Sequence, residues 1–240
     1  MMNEAPNIDQ YWHALEAALP TFAEDEQRAA VTLYRELAKG GPVSTRQLAT
    51  ALDVPVESAE DLLDRDSIRG LVYADEEGNV LGFGGLAAAP MPHKFHLDGR
   101  TLWTWCAWDS LFIPEILGEQ AQIESQDPHT GGTIRLTVTP EGVRSQEPET
   151  TVVSFVALDA ELFNSSAENV MGSFCHFVFF FESRESGEAW ATEHEGTFLL
   201  TLDEAAELAK RLNARNWGAA LPISTMREHV EAHTISDVAE

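Results

Sequence analysis

The sequence predicts an α+β fold: an N-terminal winged-helix-like module of three helices and a hairpin, then a core of mostly antiparallel β-strands flanked by helices. Three observations predict it. Apolar residues recur at helical spacing as far as Leu63, and after Gly84-Gly85 the texture changes to short β-like segments separated by turn signals. Helical periodicity then returns only near the C-terminus. The glycine pair sets the expected boundary between a structural N-terminal module, 1–85, and a core domain carrying the chemistry, 86–240.

Each element has its own signal. Residues 9–39 carry Tyr11, Leu15, Leu19, Val31, Tyr34, Leu37 and Ala38 on one helical stripe, broken near Pro20 and ended by Gly40-Gly41. Ser44-Thr45-Arg46-Gln47 has the spacing of a capping box and opens a second helix through Leu48, Ala49 and Leu52. A third starts at Pro55 and runs through Leu62 and Leu63. Residues 72–73 and 80–83, joined by Asp75-Glu76-Glu77-Gly78-Asn79, read as the hairpin. Strands are expected at 94–97, 101–105, 121–124, 133–139, 151–157 and 174–181, and helices at 186–195, anchored on Trp190, and 202–216. Residues 224–240 read as a polar, frayed tail.

Composition narrows the function. The chain has 240 residues and 44% hydrophobic content, ample for a packed core. Its 40 acidic residues outweigh 15 basic ones to give a formal charge of -25, and only Lys39, Lys94 and Lys210 are lysines. Such a surface repels phosphate backbones and anionic membranes, so neither nucleic acid nor membrane is an expected partner. The winged-helix layout is most often used to read DNA, yet residues 53–66 hold six acids and one base, Arg65, where a reading helix needs cations. The N-terminus has no basic and apolar leader pattern, and no apolar run approaches the ~18 residues a membrane span needs. The expectation is a cytoplasmic protein with reduced thiols, although a Cys106-Cys175 bridge is left open.

The chemistry concentrates in Trp105-Cys106-Ala107-Trp108-Asp109. Cys106 and Asp109 are three apart, on one face if helical, at an expected strand-to-helix junction where a helix N-terminus favours a thiolate. Trp103, Trp105, Trp108 and Phe112 supply an apolar surround, and desolvation there would raise the Asp109 pKa toward neutrality. Cys175 lies in Ser173-Phe174-Cys175-His176-Phe177, part of the expected strand, with Phe177 and Phe179 on its own face and His176 on the other. Taken singly, each thiol reads as readily as an inert buried hydrophobe. The pairs His93/His96 and His229/His233 have zinc-like spacing but no matching third ligand, and read as solvated surface histidines. Gly82-Phe83-Gly84-Gly85 lacks the strand-to-helix setting of a nucleotide loop.

"LWTWCAWDSLFIPEILG", followed about seventy residues later by "SFCHFVFFF", resembles the alkylmercury (organomercurial) lyase family. "LYRELAKGGPVS", "DEEGNVLGFGG", "IRLTVTP" and "EAWATEHEG" extend the likeness over most of the chain. The resemblance implies protonolysis of a carbon–mercury bond, with Cys106 and Cys175 as mercury ligands and Asp109 as proton donor. It implies an organomercurial substrate, no cofactor, and mercuric reductase or small thiols as acceptor of Hg(II). Two soft thiolates suit a soft metal, and one carboxyl serves as base and then acid. Some relatives carry further cysteines at the 126–128 loop and at the position of His176, so stability or product handover is where this chain is expected to differ. A mercury-responsive regulator and a thiol metal-binding protein without turnover are the alternatives.

The acidic, lysine-poor surface further predicts adaptation to high salt, where a short Debye length screens the self-repulsion. Thermal unfolding is expected to shift to lower temperature when molar salt is replaced by millimolar salt. An unchanged midpoint would refute salt adaptation.

Overall fold

The computed structural model describes residues 6–158, 166–218 and 220–221. The tail at 224–240, with His229 and His233, lies outside the described residues. The expected first helix is two: α1 (Ile8–Ala18) and α2 (Glu24–Leu37), parted around Pro20. Glu24, Asp25 and Glu26 occupy the first turn of α2, at the positive end of its dipole. In α3 (Thr45–Leu52) the capping box forms: Ser44 Oγ accepts from the Gln47 N–H at 3.3 Å, and Gln47 Oε1 accepts from the Ser44 N–H at 2.8 Å. Pro55 caps α4 (Val56–Leu63) rather than starting it, and a single turn, α5 (Asp66–Arg69), precedes the hairpin.

That hairpin, β1 (Val72–Ala74) with β2 (Val80–Phe83), forms the first two strands of an eight-stranded antiparallel sheet. β3 (Leu86–Ala87) pairs with β2 on one side and β5 (Arg100–Thr104) on the other. Next come β4 (His93–Leu97), β6 (Ala121–Gln126), β7 (Thr133–Thr139) and β8 (Gly142–Glu147). The expected 85/86 boundary therefore runs through this sheet, and one apolar cluster includes Tyr11, Tyr34, Leu86, Phe95 and Trp217. A second, three-stranded sheet has β9 (Val152–Val156) between β10 (Phe180–Phe181) and β11 (Thr197–Thr201). Helices α6 (Asp109–Leu117), α7 (Ala167–Ser173), α8 (Arg184–Ala191) and α9 (Leu202–Trp217) cover the sheets. No described helix is long and apolar enough to cross a membrane.

Three expectations are corrected. The run 174–181 is mostly not strand: α7 ends at Ser173, a 3-10 turn spans Cys175–Phe177, and only Phe180 and Phe181 pair, with Val153 and Val152. Aromatic content there marks burial rather than backbone conformation. The buried set is accordingly Phe174, Cys175, Val178, Phe180 and Phe181, while Phe177 and Phe179 are only partly covered. His93 is not a surface residue. It is 1% exposed, its Nδ1 lies 2.7 Å from Ser125 Oγ, and burial holds its pKa down at about 3. His93 and His96 are three apart on a strand and so face opposite sides, which removes the metal-binding geometry their spacing offered.

The sequence signals missed the strands β3, β8 and β11 and the short helices α5 and α7. β8 is an edge strand with little apolar alternation, and Thr197–Thr201 is a short, continuously buried run whose period is ambiguous. Asp127, 1% exposed, ties the β6–β7 loop to the start of α8: its carboxylate accepts from the N–H groups of His129, Thr130 and Glu182 and from Ser186 Oγ. Burial works to raise its pKa, but these four donors outweigh it and hold Asp127 below the ordinary carboxylate range.

Candidate active site

β5 ends at Thr104, and the chain turns through Trp105, Cys106, Ala107 and Trp108 before α6 begins at Asp109. The expected junction is thus present. Short bonds lock the turn: Thr104 Oγ1 donates to Cys106 O at 3.0 Å, and Ser110 Oγ donates to Ala107 O at 2.7 Å. Asp109 reaches back, so that its Oδ2 accepts the Cys106 N–H at 2.7 Å. The second arm comes from α7, whose end swings into the 3-10 turn carrying Cys175. One backbone bond, Ala107 N–H to Val178 O at 3.0 Å, stitches the two arms together.

The stitch brings the three expected residues to one point. A sulfur from each cysteine and a carboxylate oxygen of Asp109 lie within 4.8 Å of one another. All three residues are buried and both thiols are free, so the bridge left open by the sequence is not formed. A cavity of about 60 Å³ opens beside them, lined by Asp109 and Cys175. Its walls include Trp105, Trp108, Phe112, Phe174 and Trp217. Trp108 packs edge-on against Phe112 (5.5 Å) and Phe174 (6.1 Å), and its Nε1 donates to Ala205 O of α9. Trp103 is not part of this wall: strand alternation turns Leu102 and Thr104 inward and leaves Trp103 half-buried on the other face.

Burial dominates the electrostatics. It raises Asp109 from 3.8 to about 7, although the Cys106 side chain and N–H both favour the carboxylate. Burial also pushes the Cys106 thiol well above its ordinary range, helped by the Cys175 sulfur and the Asp109 charge. For Cys175, contact with the Cys106 sulfur pulls the pKa down, but burial and the Asp109 charge together hold it above the usual thiol range. The expected thiolate at a helix N-terminus is therefore corrected. A dipole contributes about 0.3–1 kcal/mol, less than desolvation costs here. Near neutral pH, burial therefore favours thiols over thiolates and holds the Asp109 carboxyl at a pKa of about 7.

Residues that sequence reasoning passed over also meet here. Tyr34 of α2 lines the cavity and donates its hydroxyl to Gly84 O at 2.7 Å. Gly85 lies directly against Asp109: a Cβ built on it would sit 2.5 Å from Oδ1. The available signal was the glycine pair itself, since two adjacent glycines after a strand mark a close backbone approach as well as a boundary.

The alkylmercury lyase (MerB) family model matches residues 86–214. An alkylmercury lyase of Staphylococcus epidermidis is 36% identical over 199 residues, 81% of this chain and 88% of that protein. One from Pseudomonas putida is 40% identical over 175 residues, 73% of this chain and 78% of that protein. The solved mercury-bound form of MerB2 superposes with a TM-score of 0.67 at 23% identity, covering 85% of this chain and 96% of that one, a likeness of fold.

The raised Asp109 pKa makes a stability prediction. A carboxyl whose folded pKa lies above its unfolded one binds more protons when folded, so stability falls as pH rises from about 4 to 7. At full ionisation the loss is on the order of 4 kcal/mol. Asp109→Asn is expected to flatten this part of the pH–stability curve in urea titrations at pH 5 and pH 8. An unchanged slope would contradict the assignment.

Proposed function

The chain belongs to the alkylmercury lyase family, and from that premise we propose that it cleaves carbon–mercury bonds with Cys106 and Cys175 as mercury ligands and Asp109 as proton carrier. The observation that carries the proposal is the convergence of two free thiols and one buried acid beside an apolar pocket whose wall includes Cys175 and Asp109. A metal-binding protein needs only the sulfurs. An acid held near neutrality beside them supplies what protonolysis needs in addition.

The reaction balances with these three groups. The mercury of R–Hg⁺ forms a bond to one sulfur, and the displaced thiol proton passes to the Asp109 carboxylate. The second sulfur binds and releases its proton to solvent or to a departing thiol. Electron density from both sulfurs weakens the bond to carbon, and the Asp109 proton is delivered there. The Hg–C electron pair becomes the new C–H bond, R–H leaves, and Hg(II) stays between two thiolates. No electron is gained or lost overall, so the proposed chemistry draws on no cofactor. Because both sulfurs are buried, Hg(II) would leave by exchange with entering thiols, small or carried by a mercuric reductase. A DNA-reading role finds little support, since α4 carries Glu57, Glu60 and Asp61.

With methylmercury, excess thiol and high salt, the wild type is expected to release methane. Cys106→Ser and Cys175→Ser should abolish release. Asp109→Asn should still bind Hg(II) but turn over roughly 10³-fold more slowly. Methane from Cys175→Ser at the wild-type rate, or none from the wild type, would overturn the proposal.

Cavity size adds a preference. An apolar cavity of about 150 Å³ accepts benzene, whereas this one is about 60 Å³, room for a methyl or ethyl group. Methylmercury is expected to show a lower KM than phenylmercury, and Leu212→Ala, which removes part of the wall, should narrow the gap. Equal KM values in the wild type would refute the size limit.

A further inference from the structure

We propose that Tyr34 and the Gly84-Gly85 turn form a latch that positions Asp109, making the N-terminal helices part of the acid step. The inference rests on the lyase reading above and adds to it a positioning role for residues that precede the matched family region, 86–214.

The turn follows β2 and carries two consecutive positive φ angles, 47° at Gly84 and 101° at Gly85. Glycine reaches such angles without the steric cost a Cβ imposes. Here the missing Cβ atoms also make room. At Gly85 a Cβ would overlap the carboxyl group of Asp109, and at Gly84 it would overlap the Tyr34 hydroxyl. The absent side chain of Gly85 is thus the floor on which the carboxyl rests.

Three hydrogen bonds from three elements hold that floor. Tyr34 Oη donates to Gly84 O at 2.7 Å, Gly84 N–H donates to Leu71 O at 3.0 Å, and Trp105 N–H donates to Gly85 O at 2.9 Å. The last bond attaches the turn to the residue just before Cys106. Any shift of the turn therefore moves the Asp109 seat and the Cys106 backbone together. Tyr34 is itself fixed: it is 1% exposed, with its ring edge-on to Phe83 at 5.2 Å and to Trp217 at 6.2 Å. Its hydroxyl is spent on a carbonyl, so Tyr34 acts through Gly84, Gly85 and Asp109 and is a positioning residue.

The titratable groups coupled to Asp109 are Cys106, Cys175 and Tyr34. Freeing the latch lets the carboxyl shift from the position in which it accepts the Cys106 N–H.

Tyr34→Phe keeps the ring and the cavity wall and removes one hydrogen bond. Its kcat for methylmercury is expected to fall about tenfold, with Hg(II) still bound by the cysteine pair and the pH–rate profile displaced. Gly85→Ala should cost about 100-fold or more by pushing the carboxyl from its seat. Carbon-13 NMR titration of the Asp109 carboxyl in wild type and both variants gives a readout independent of turnover, so failure of the latch and failure of the lyase reading are separable. A wild-type titration curve and wild-type pH–rate profile in Tyr34→Phe would overturn the latch. Methane release lost equally from wild type and variants, with the titration still displaced, would overturn the lyase reading alone.

Discussion

The structure depends on keeping one carboxyl out of water. Asp109 occupies the first position of a helix, where the dipole and the Cys106 N–H both favour a negative charge, and in solvent it would be fully ionised. Burial opposes that preference and raises the group's pKa to about 7. The apolar walls, the close approach of Gly85 and the two neutral thiols all serve the same condition. A cation beside Asp109 would relieve the desolvation but fix the group as a carboxylate.

Holding that arrangement requires rigidity from elements far apart in the chain. The turn after β5, the 3-10 turn after α7, and α9 through Ala205 O meet around Trp108. Edge-on aromatic contacts tie Trp108 to Phe112, Phe155 and Phe174, so the indole joins α6, the three-stranded sheet and the end of α7 beside the acid. Buried Asn213 adds a second bond between α9 and α6, donating its Nδ2 to Phe112 O. The energy that offsets a desolvated acid comes from this continuous apolar packing, which spans both halves of the molecule.

Charge is correspondingly segregated. The ion pairs, such as Arg65 with Asp25 and Lys94 with Glu124, lie at the surface, where each contributes little. Any response to salt would fall on that outer shell of uncompensated acids, whereas Asp109 is buried away from solvent. The two are physically separate because one set of charges is hydrated and the other group is not.

What the sequence by itself determined was local. Capping at Ser44, the break at Pro20, the hairpin, most central strands and the strand-to-helix turn at Cys106–Asp109 are set by residues a few positions apart, and periodicity and turn chemistry report them. Each thiol taken singly read as readily as a buried hydrophobe, and it was the family resemblance of the segments around Cys106, Asp109 and Cys175 that named the three together. Only the tertiary structure decided how Cys175, 69 residues after Cys106, reaches the same point, and that it does so from a 3-10 turn rather than a strand. It also decided that His93 is buried, that Trp103 faces away, and that Tyr34 and Gly85 belong to the site. These depend on which distant surfaces pack together, and an apolar or aromatic residue announces that it will be buried without announcing against what.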